Sequence, residues 1–175
     1  MGYLNLEEYI RTVPDYPVEG IHFYDLNSLF ASEAWPQVVE ELVEKMDHLH
    51  FTHIVGIESR GFVVAQAIAS ELKKPMVMVR KKGAKYPGKL LEESYELEYG
   101  TDTLTLQEGI LGHTSRVLIA DDLIATGGSI LATKRLLEKT GARVVGVATI
   151  VNLRYLHSEE LNTIEGIYCS MGVNK

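Results

Sequence analysis

Three kinds of hydrophobic pattern follow one another along the chain. Over residues 33–46, Val38, Val39, Leu42, Val43 and Met46 recur at helical spacing, which predicts one amphipathic helix. Beyond it, short apolar runs at 54–57, 76–80, 117–120 and 144–151 alternate with helical segments at 62–72 and 128–139. The runs are short and largely without polar alternation, so each strand is expected to be buried on both faces. An α/β fold follows, with a mainly parallel central sheet and helices on both faces, in a single domain spanning residues 1–175.

Two segments depart from this alternation. Residues 5–12 predict a short helix, and PDYPVEGIHFYD at 14–25 mixes Pro14, Pro17 and Gly20 with apolar residues, as an ordered but irregular arm would. Residues 1–30 therefore read as an N-terminal arm. Residues 81–108 carry Gly83, Pro87, Gly88 and Gly100 without a helical stripe, and are too long for a plain connection. Alternation at 95–99 and 103–107 predicts a hairpin there, and the whole of 81–108 a flexible lid. The region after Leu153 offers little to cover the sheet edge.

Composition narrows the classes. Hydrophobic residues make up 46% of the 175 and charged residues 23%, enough apolar material for a core. A net charge of −7 argues against diffuse attraction to nucleic acid or anionic membrane, so neither is expected as a partner. Cys169 is the only cysteine, which excludes an internal disulfide or a multi-cysteine metal site. The start, MGYLNLEEYI, has no basic flank before an apolar run, and Leu6 stands where a myristoylation signal needs Ser or Thr. With no apolar stretch near the roughly 20 residues a membrane span requires, a cytoplasmic location is expected.

Candidate chemistry concentrates in VLIADDLIATGGS at 117–129: an apolar strand, the pair Asp121 and Asp122, then Ala125, Thr126, Gly127, Gly128 and Ser129 opening a helix. Ligands of parallel sheets bind beyond the carboxyl ends of strands. The free N–H groups of a helix start favour an anion, and two carboxylates can accept bonds from vicinal ribose hydroxyls. Taken singly, each part also suits a turn, an N-cap, exposed acids or Mg2+ ligands. Glu58, Ser59, Arg60 and Gly61 repeat the strand-to-helix arrangement. Arg80, Lys81, Lys82, Lys85 and Lys89 crowd ten residues of an otherwise acidic chain, as either a solvated loop or a polyanion clamp. GAKYPGKL at 83–90 imitates a P-loop but has Leu90 where the Mg2+-binding hydroxyl belongs. His48, His50 and His53 have metal-like spacing without a nearby carboxylate to complete a set, and no GxGxxG occurs.

The strand, acidic pair and TGGS loop resemble the phosphoribosyl pyrophosphate (PRPP) signature of type I phosphoribosyltransferases. PDYPVEGIHFYD, IESRGF and SYELEYGTDTL are similar to segments of the adenine phosphoribosyltransferases, and the resemblance covers roughly residues 10–153. It implies that fold with an N-terminal hood and a mobile loop, and transfer of phosphoribose from PRPP to N9 of adenine, giving AMP and pyrophosphate. It further implies PRPP and AMP binding by Asp121, Asp122 and residues 125–129, and pyrophosphate binding by Ser59, Arg60, Arg80, Lys81 and Lys85. His22, Phe23, Tyr24 and Leu153 would hold adenine, with Glu98 and Tyr99 catalytic. Mg2+ would arrive mainly through PRPP, with no metal ligand assigned among the side chains, and the family commonly forms homodimers.

The sequence departs from that family at several points. Tyr24 stands where Arg is usual, His22 where a small apolar residue is common, Val18-Glu19 replaces a Pro-containing pair, and Val64-Ala65 replaces Phe-Gly. The basic loop is also one residue longer. A hypoxanthine, guanine or xanthine phosphoribosyltransferase, or a non-catalytic PRPP-binding regulator, is the alternative. Against the regulator, the residues before the first core strand hold the hood and no basic DNA-reading helix.

Overall fold

The computed structural model describes residues 4–97 and 100–174. A short 3-10 turn, Leu6–Glu8, precedes β1 (Arg11–Val13), which pairs antiparallel with β2 (Phe23–Asp25). The helix expected at 5–12 is thus a single turn, because only Leu6 and Ile10 are buried there and the β-branched pair before Pro14 extends. A one-turn α1 (Asn27–Phe30) leads to α2 (Trp35–Glu44), whose Val38, Val39 and Leu42 are buried as the spacing predicts.

The main sheet is built from β3 (His53–Ile57), β4 (Met76–Lys81), β5 (Leu90–Leu97), β6 (Gly100–Gln107), β7 (Arg116–Ile124), β8 (Arg143–Leu153) and β9 (Ile167–Val173). Their order is β5-β6-β4-β3-β7-β8-β9, parallel from β4 to β9, with the β5–β6 hairpin antiparallel at one edge. Two helices complete the fold, α3 (Gly61–Leu72) and α4 (Gly128–Glu138). Alternate strand residues feed two cores. Ile54, Leu118 and Ala120 join α2 and α3 on one face, while Val55, Val117 and Ile119 join Ile130 and Leu137 of α4 on the other. Among the described residues no helix is long and apolar enough to cross a membrane.

Three boundaries differ from the sequence reading. The hairpin is longer than 95–107, because pairing with β6 already begins at Leu90, opposite Gln107, in a stretch, LLEES, whose sequence does not alternate. Strand β7 runs through the acidic pair, since Leu123 and Ile124 keep their register with Val151 and Asn152 of β8. The edge beyond β8 is covered after all: β9 pairs along it in parallel from Ile167 to Val173. Its half-buried, mixed sequence IYCSMGV hid that strand from a reading based on apolar runs.

Candidate active site

β3 and β7 are adjacent and parallel, so their carboxyl ends open on the same side and each delivers a loop into a helix. Between these ends and the hairpin lies a cleft of about 380 Å³, lined by Ser59, Arg60, Lys81, Tyr95, Asp121, Asp122 and Ser129, with Ile57 and Glu58 at its back. Two helix starts, those of α3 and α4, therefore turn the positive ends of their dipoles to one space, although in α3 the Phe62 and Val63 N–H groups already donate to the Ser59 and Arg60 carbonyls at 3.1 Å each.

The acidic pair is enclosed. Asp121 and Asp122 are 8% and 7% exposed, so the reading of both as surface charges is ruled out. Burial, then the neighbouring Asp122, pushes the Asp121 carboxyl well above the usual carboxylate range. Asp121 Oδ1 accepts the Asp122 N–H at 2.9 Å, and Ser129 Oγ makes a long contact of 3.5 Å to Oδ2. Asp122 Oδ2 lies 2.8 Å from Arg60 Nε, an ion pair without hydrogen-bond geometry, so this buried oxygen still lacks a donor.

The loop 125–129 is set by three contacts. Gly127 caps α4 with φ +91°, and a Cβ there would fall 2.6 Å from Leu161 Cδ1, so both conformation and space require glycine. The Thr126 carbonyl accepts the Ser158 N–H at 3.1 Å. Ala125 packs against the α2–α3 core, which orients the turn. On the other loop, the Glu58–Ser59 peptide is cis, Ser59 is exposed, and Arg60 is the N-cap of α3.

The basic segment divides. Lys82 and Lys89 pair with Glu92 and Glu108 at 2.9 Å each, on the rim. Arg80 and Lys81, at the end of β4, turn inward. Glu58 Oε2 accepts the Lys81 N–H at 2.9 Å and lies 3.4 Å from Arg80 Nε, which is buried without a hydrogen-bond acceptor. Lys81 Nζ is 3.0 Å from Asp102 Oδ2. Lys85 is exposed and makes no ion pair among the described residues.

The adenine candidates are not drawn into the same cleft. Phe23 lies edge-on to Tyr16 with centroids 5.2 Å apart, and the Arg60 guanidinium sits 5.4 Å from its ring, so the hood borders the Arg60 loop. His22 is exposed. Tyr24, at the family's arginine position, is half-buried against the α2–α3 core, and burial raises its hydroxyl pKa. Leu153 ends β8 buried in that core. Glu98 and Tyr99 lie outside the described residues.

Sequence reasoning missed Tyr95 and Asp102. Tyr95 rests on the start of α4, where a Cβ on Gly128 would lie 3.2 Å from its ring. Its hydroxyl donates to Asp102 over 3.4 Å. The signal that could have found them is the hairpin register, which sets Tyr95 opposite Asp102.

Residues 26–165 match the phosphoribosyl transferase domain. The chain is 46% identical over 158 residues to the adenine phosphoribosyltransferase of Rhodospirillum rubrum, covering 90% of this chain and 92% of that one. The crystal structure of the adenine phosphoribosyltransferase from Thermoanaerobacter pseudethanolicus superposes with a TM-score of 0.90 at 34% identity, covering 96% and 98%. The Saccharomyces cerevisiae enzyme, complexed with an imino-altritol bisphosphate and adenine, gives 0.84 at 32%, covering 94% and 96%. The sheet and its helices share the fold of these proteins, and the chain belongs to the adenine phosphoribosyltransferases of the phosphoribosyl transferase family.

Proposed function

We propose that this protein transfers the 5-phosphoribosyl group of PRPP to N9 of adenine, giving AMP and pyrophosphate in purine salvage. One observation carries the reading: an enclosed acidic pair, two helix starts and the cations Arg60 and Lys81 converge on one cleft. A sugar carrying phosphate on one side and pyrophosphate on the other has that alternation of hydroxyls and anions. In the reaction the bond from ribose C1 to pyrophosphate oxygen breaks with its electron pair leaving on pyrophosphate. C1 joins N9, and N9 loses its proton. An oxocarbenium-like state is expected at C1, as in glycoside cleavage.

The residues divide this work by position. Residues 125–129, at the start of α4, suit the 5-phosphate, with Asp121 and Asp122 suiting the ribose hydroxyls. Ser59, Arg60, Arg80 and Lys81 suit the pyrophosphate, whose departure needs its growing charge balanced, with Lys85 able to reach in from the exposed loop. Phe23 of the hood offers an aromatic face to the base, with His22, Tyr24 and Leu153 as further base contacts after rearrangement on binding. Glu98 is the proposed proton acceptor and Tyr99 its neighbour over the reacting carbon, both carried by the resemblance alone.

Mg2+ fits as a companion of the substrate. No group of three or more His, Cys, Asp or Glu suited to a metal occurs among the described residues, whereas the oxygens of Asp121 and Asp122 are the hard type it takes beside phosphates. When bound it would screen the pyrophosphate charge.

A cytoplasmic homodimer completes the proposal. The lone thiol Cys169 suits a reducing compartment. β9 covers β8 and is itself the outer strand of the sheet, and Val63 of α3 and Met78 of β4 are 42% and 41% exposed. Sedimentation as a 19.5 kDa particle at micromolar concentration would refute the dimer. Incubating the protein with PRPP, Mg2+ and each common nucleobase in turn tests the reaction. AMP from adenine alone supports it, and product only from hypoxanthine, guanine or xanthine overturns it.

A further inference from the structure

The hairpin reaches the cleft through one cross-strand pair, Tyr95 on β5 and Asp102 on β6. The Thr103 N–H donates to Asp102 Oδ1 at 2.8 Å, while Oδ2 receives the Tyr95 hydroxyl at 3.4 Å and lies 3.0 Å from Lys81 Nζ. Burial opposes the Asp102 charge, yet the Lys81 ammonium, the Thr103 amide and Tyr95 together hold its carboxyl below the usual range. Burial, with Asp102 and Asp121, pushes the Tyr95 hydroxyl up to about 12, so it remains a donor at any working pH.

Lys81 and Tyr95 line the cleft, but Asp102 does not. Asp102 therefore meets the ligand space only through these two partners. Lys81 is the last residue of β4, with a side chain 52% exposed and no other acid partner among the described residues. An unheld lysine of that kind must lose its rotamer freedom when an anion binds, which weakens binding. Held by one carboxylate oxygen, its ammonium is already ordered and keeps two of its three N–H donors for the anion.

We propose that Asp102 is a positioning residue for PRPP, anchoring the Lys81 ammonium for the pyrophosphate group and seating Tyr95 on the start of α4. The inference rests on the reading of Lys81 as a pyrophosphate ligand. It contrasts with the Lys82–Glu92 pair of the same segment, whose side chains are 61% and 44% exposed on the rim.

A double-mutant cycle tests it. Asp102→Asn keeps the shape and the acceptor for Thr103 but removes the charge. It is expected to raise KM for PRPP on the order of tenfold, leaving KM for adenine and kcat within about twofold, and Glu92→Gln is expected to change none of them. Lys81→Met should raise the same KM, and adding Asp102→Asn to it should raise it no further. Calorimetric titration with magnesium pyrophosphate on each folded variant gives a readout independent of turnover, and Asp102→Glu, which keeps the charge, should recover most of the affinity. If Lys81→Met leaves KM for PRPP unchanged, Lys81 is no pyrophosphate ligand and the inference falls with that reading. If Lys81→Met acts but Asp102→Asn does not, or the two effects add in full, the anchoring role fails while the reading of Lys81 stands. A loss confined to thermal stability, with both KM values unchanged, equally overturns it.

Discussion

Replacing Gly61 by alanine puts the closest helix–strand contact of the site under load. Gly61 is the first residue of α3 and is buried against β7. An added Cβ would fall 2.8 Å from Asp121 Oδ1, 3.1 Å from the Ala120 carbonyl oxygen and 3.3 Å from Asp121 Cα. Two of these three are backbone atoms of a central strand, and the third belongs to an enclosed side chain, so α3 must move. Overpacking of this kind costs about 1 to 3 kcal/mol. Alanine restricts the unfolded chain and recovers about 0.4 to 1 kcal/mol, leaving a net loss of about 1.3 kcal/mol from the middle of the two ranges. At about 2 to 4 °C per kcal/mol for a chain of this size, Tm should fall by about 3 to 5 °C. Arg60 immediately precedes the displaced turn, so its pairing with Asp122 should loosen and KM for PRPP should rise with the loss of Tm. Gly112→Ala is the matched control: a Cβ there meets nothing within 4 Å, and its Tm should hold or rise slightly. Thermal unfolding and initial-rate kinetics on both variants decide the matter. Equal Tm values for Gly61→Ala and the parent, with unchanged KM for PRPP, would refute the argument that this contact holds the loop.

Other expected outcomes concern charge and proton transfer. Asp122→Asn, which strips Arg60 of its counter-ion and the ribose of a charged acceptor, should weaken PRPP and AMP binding by about 10- to 100-fold in calorimetric titration. Asp121→Asn should cost less, because burial already favours the uncharged acid there, and equal losses for the two variants would contradict that assignment. Glu93 of β5, held between Arg135 of α4 and Lys139 just past its end, has a lowered pKa, chiefly from the Lys139 bond, so its stabilisation is present at neutral pH and is lost as pH falls through the folded value. Glu93→Gln should therefore lower stability by about 1 kcal/mol at pH 7, given its half-exposed partners, and the gap should close in acid below about pH 4.3; a gap that persists there counts against the ion pairs. Glu98→Gln should bind AMP normally but form it about a hundredfold more slowly in a single turnover, and a wild-type rate would assign the proton to another group.

The parallel sheet was legible because its strands are buried on both faces and so read as plain apolar runs. Strands with one open face were harder: β9 and the outer half of the hairpin mix polar and apolar residues, and only pairing partners remote in sequence define them. The acidic pair and the Gly127 turn stood out as a strand-to-helix junction with its residue types in order, whereas Arg60 was marked out by the family resemblance. Asp102 was not, because its meaning lies in a contact with Lys81 across 21 positions, made by β6 pairing with β4. Val64 and Ala65 are both fully buried, and a Cβ on Gly56 would lie 2.8 Å from Ala65 Cβ, so Gly56 leaves the room that Ala65 takes between α3 and β3; nothing in the structure explains why Ala stands there in place of Gly.

An acidic protein that binds a polyanion needs its cations ready but not idle. In and behind the wall of this cleft Arg60 stands against Asp122, Arg80 against Glu58 and Lys81 against Asp102, at 2.8, 3.4 and 3.0 Å. Three cations thus face three carboxylates, while Asp121, the fourth acid, is driven toward its neutral form by burial. The protein's own charges around the site are close to balanced, which lets charged groups be ordered at partly buried positions. Binding is then an exchange, in which phosphate oxygens compete with carboxylates already in place. Neither Arg80 Nε nor Asp122 Oδ2 has a hydrogen-bond partner in its present pairing, although both atoms are buried. A phosphate oxygen offered to the first and a ribose hydroxyl offered to the second would satisfy both. That imbalance in hydrogen bonding, set within near balance in charge, favours a ligand carrying both groups over inorganic phosphate or a free ribose alone.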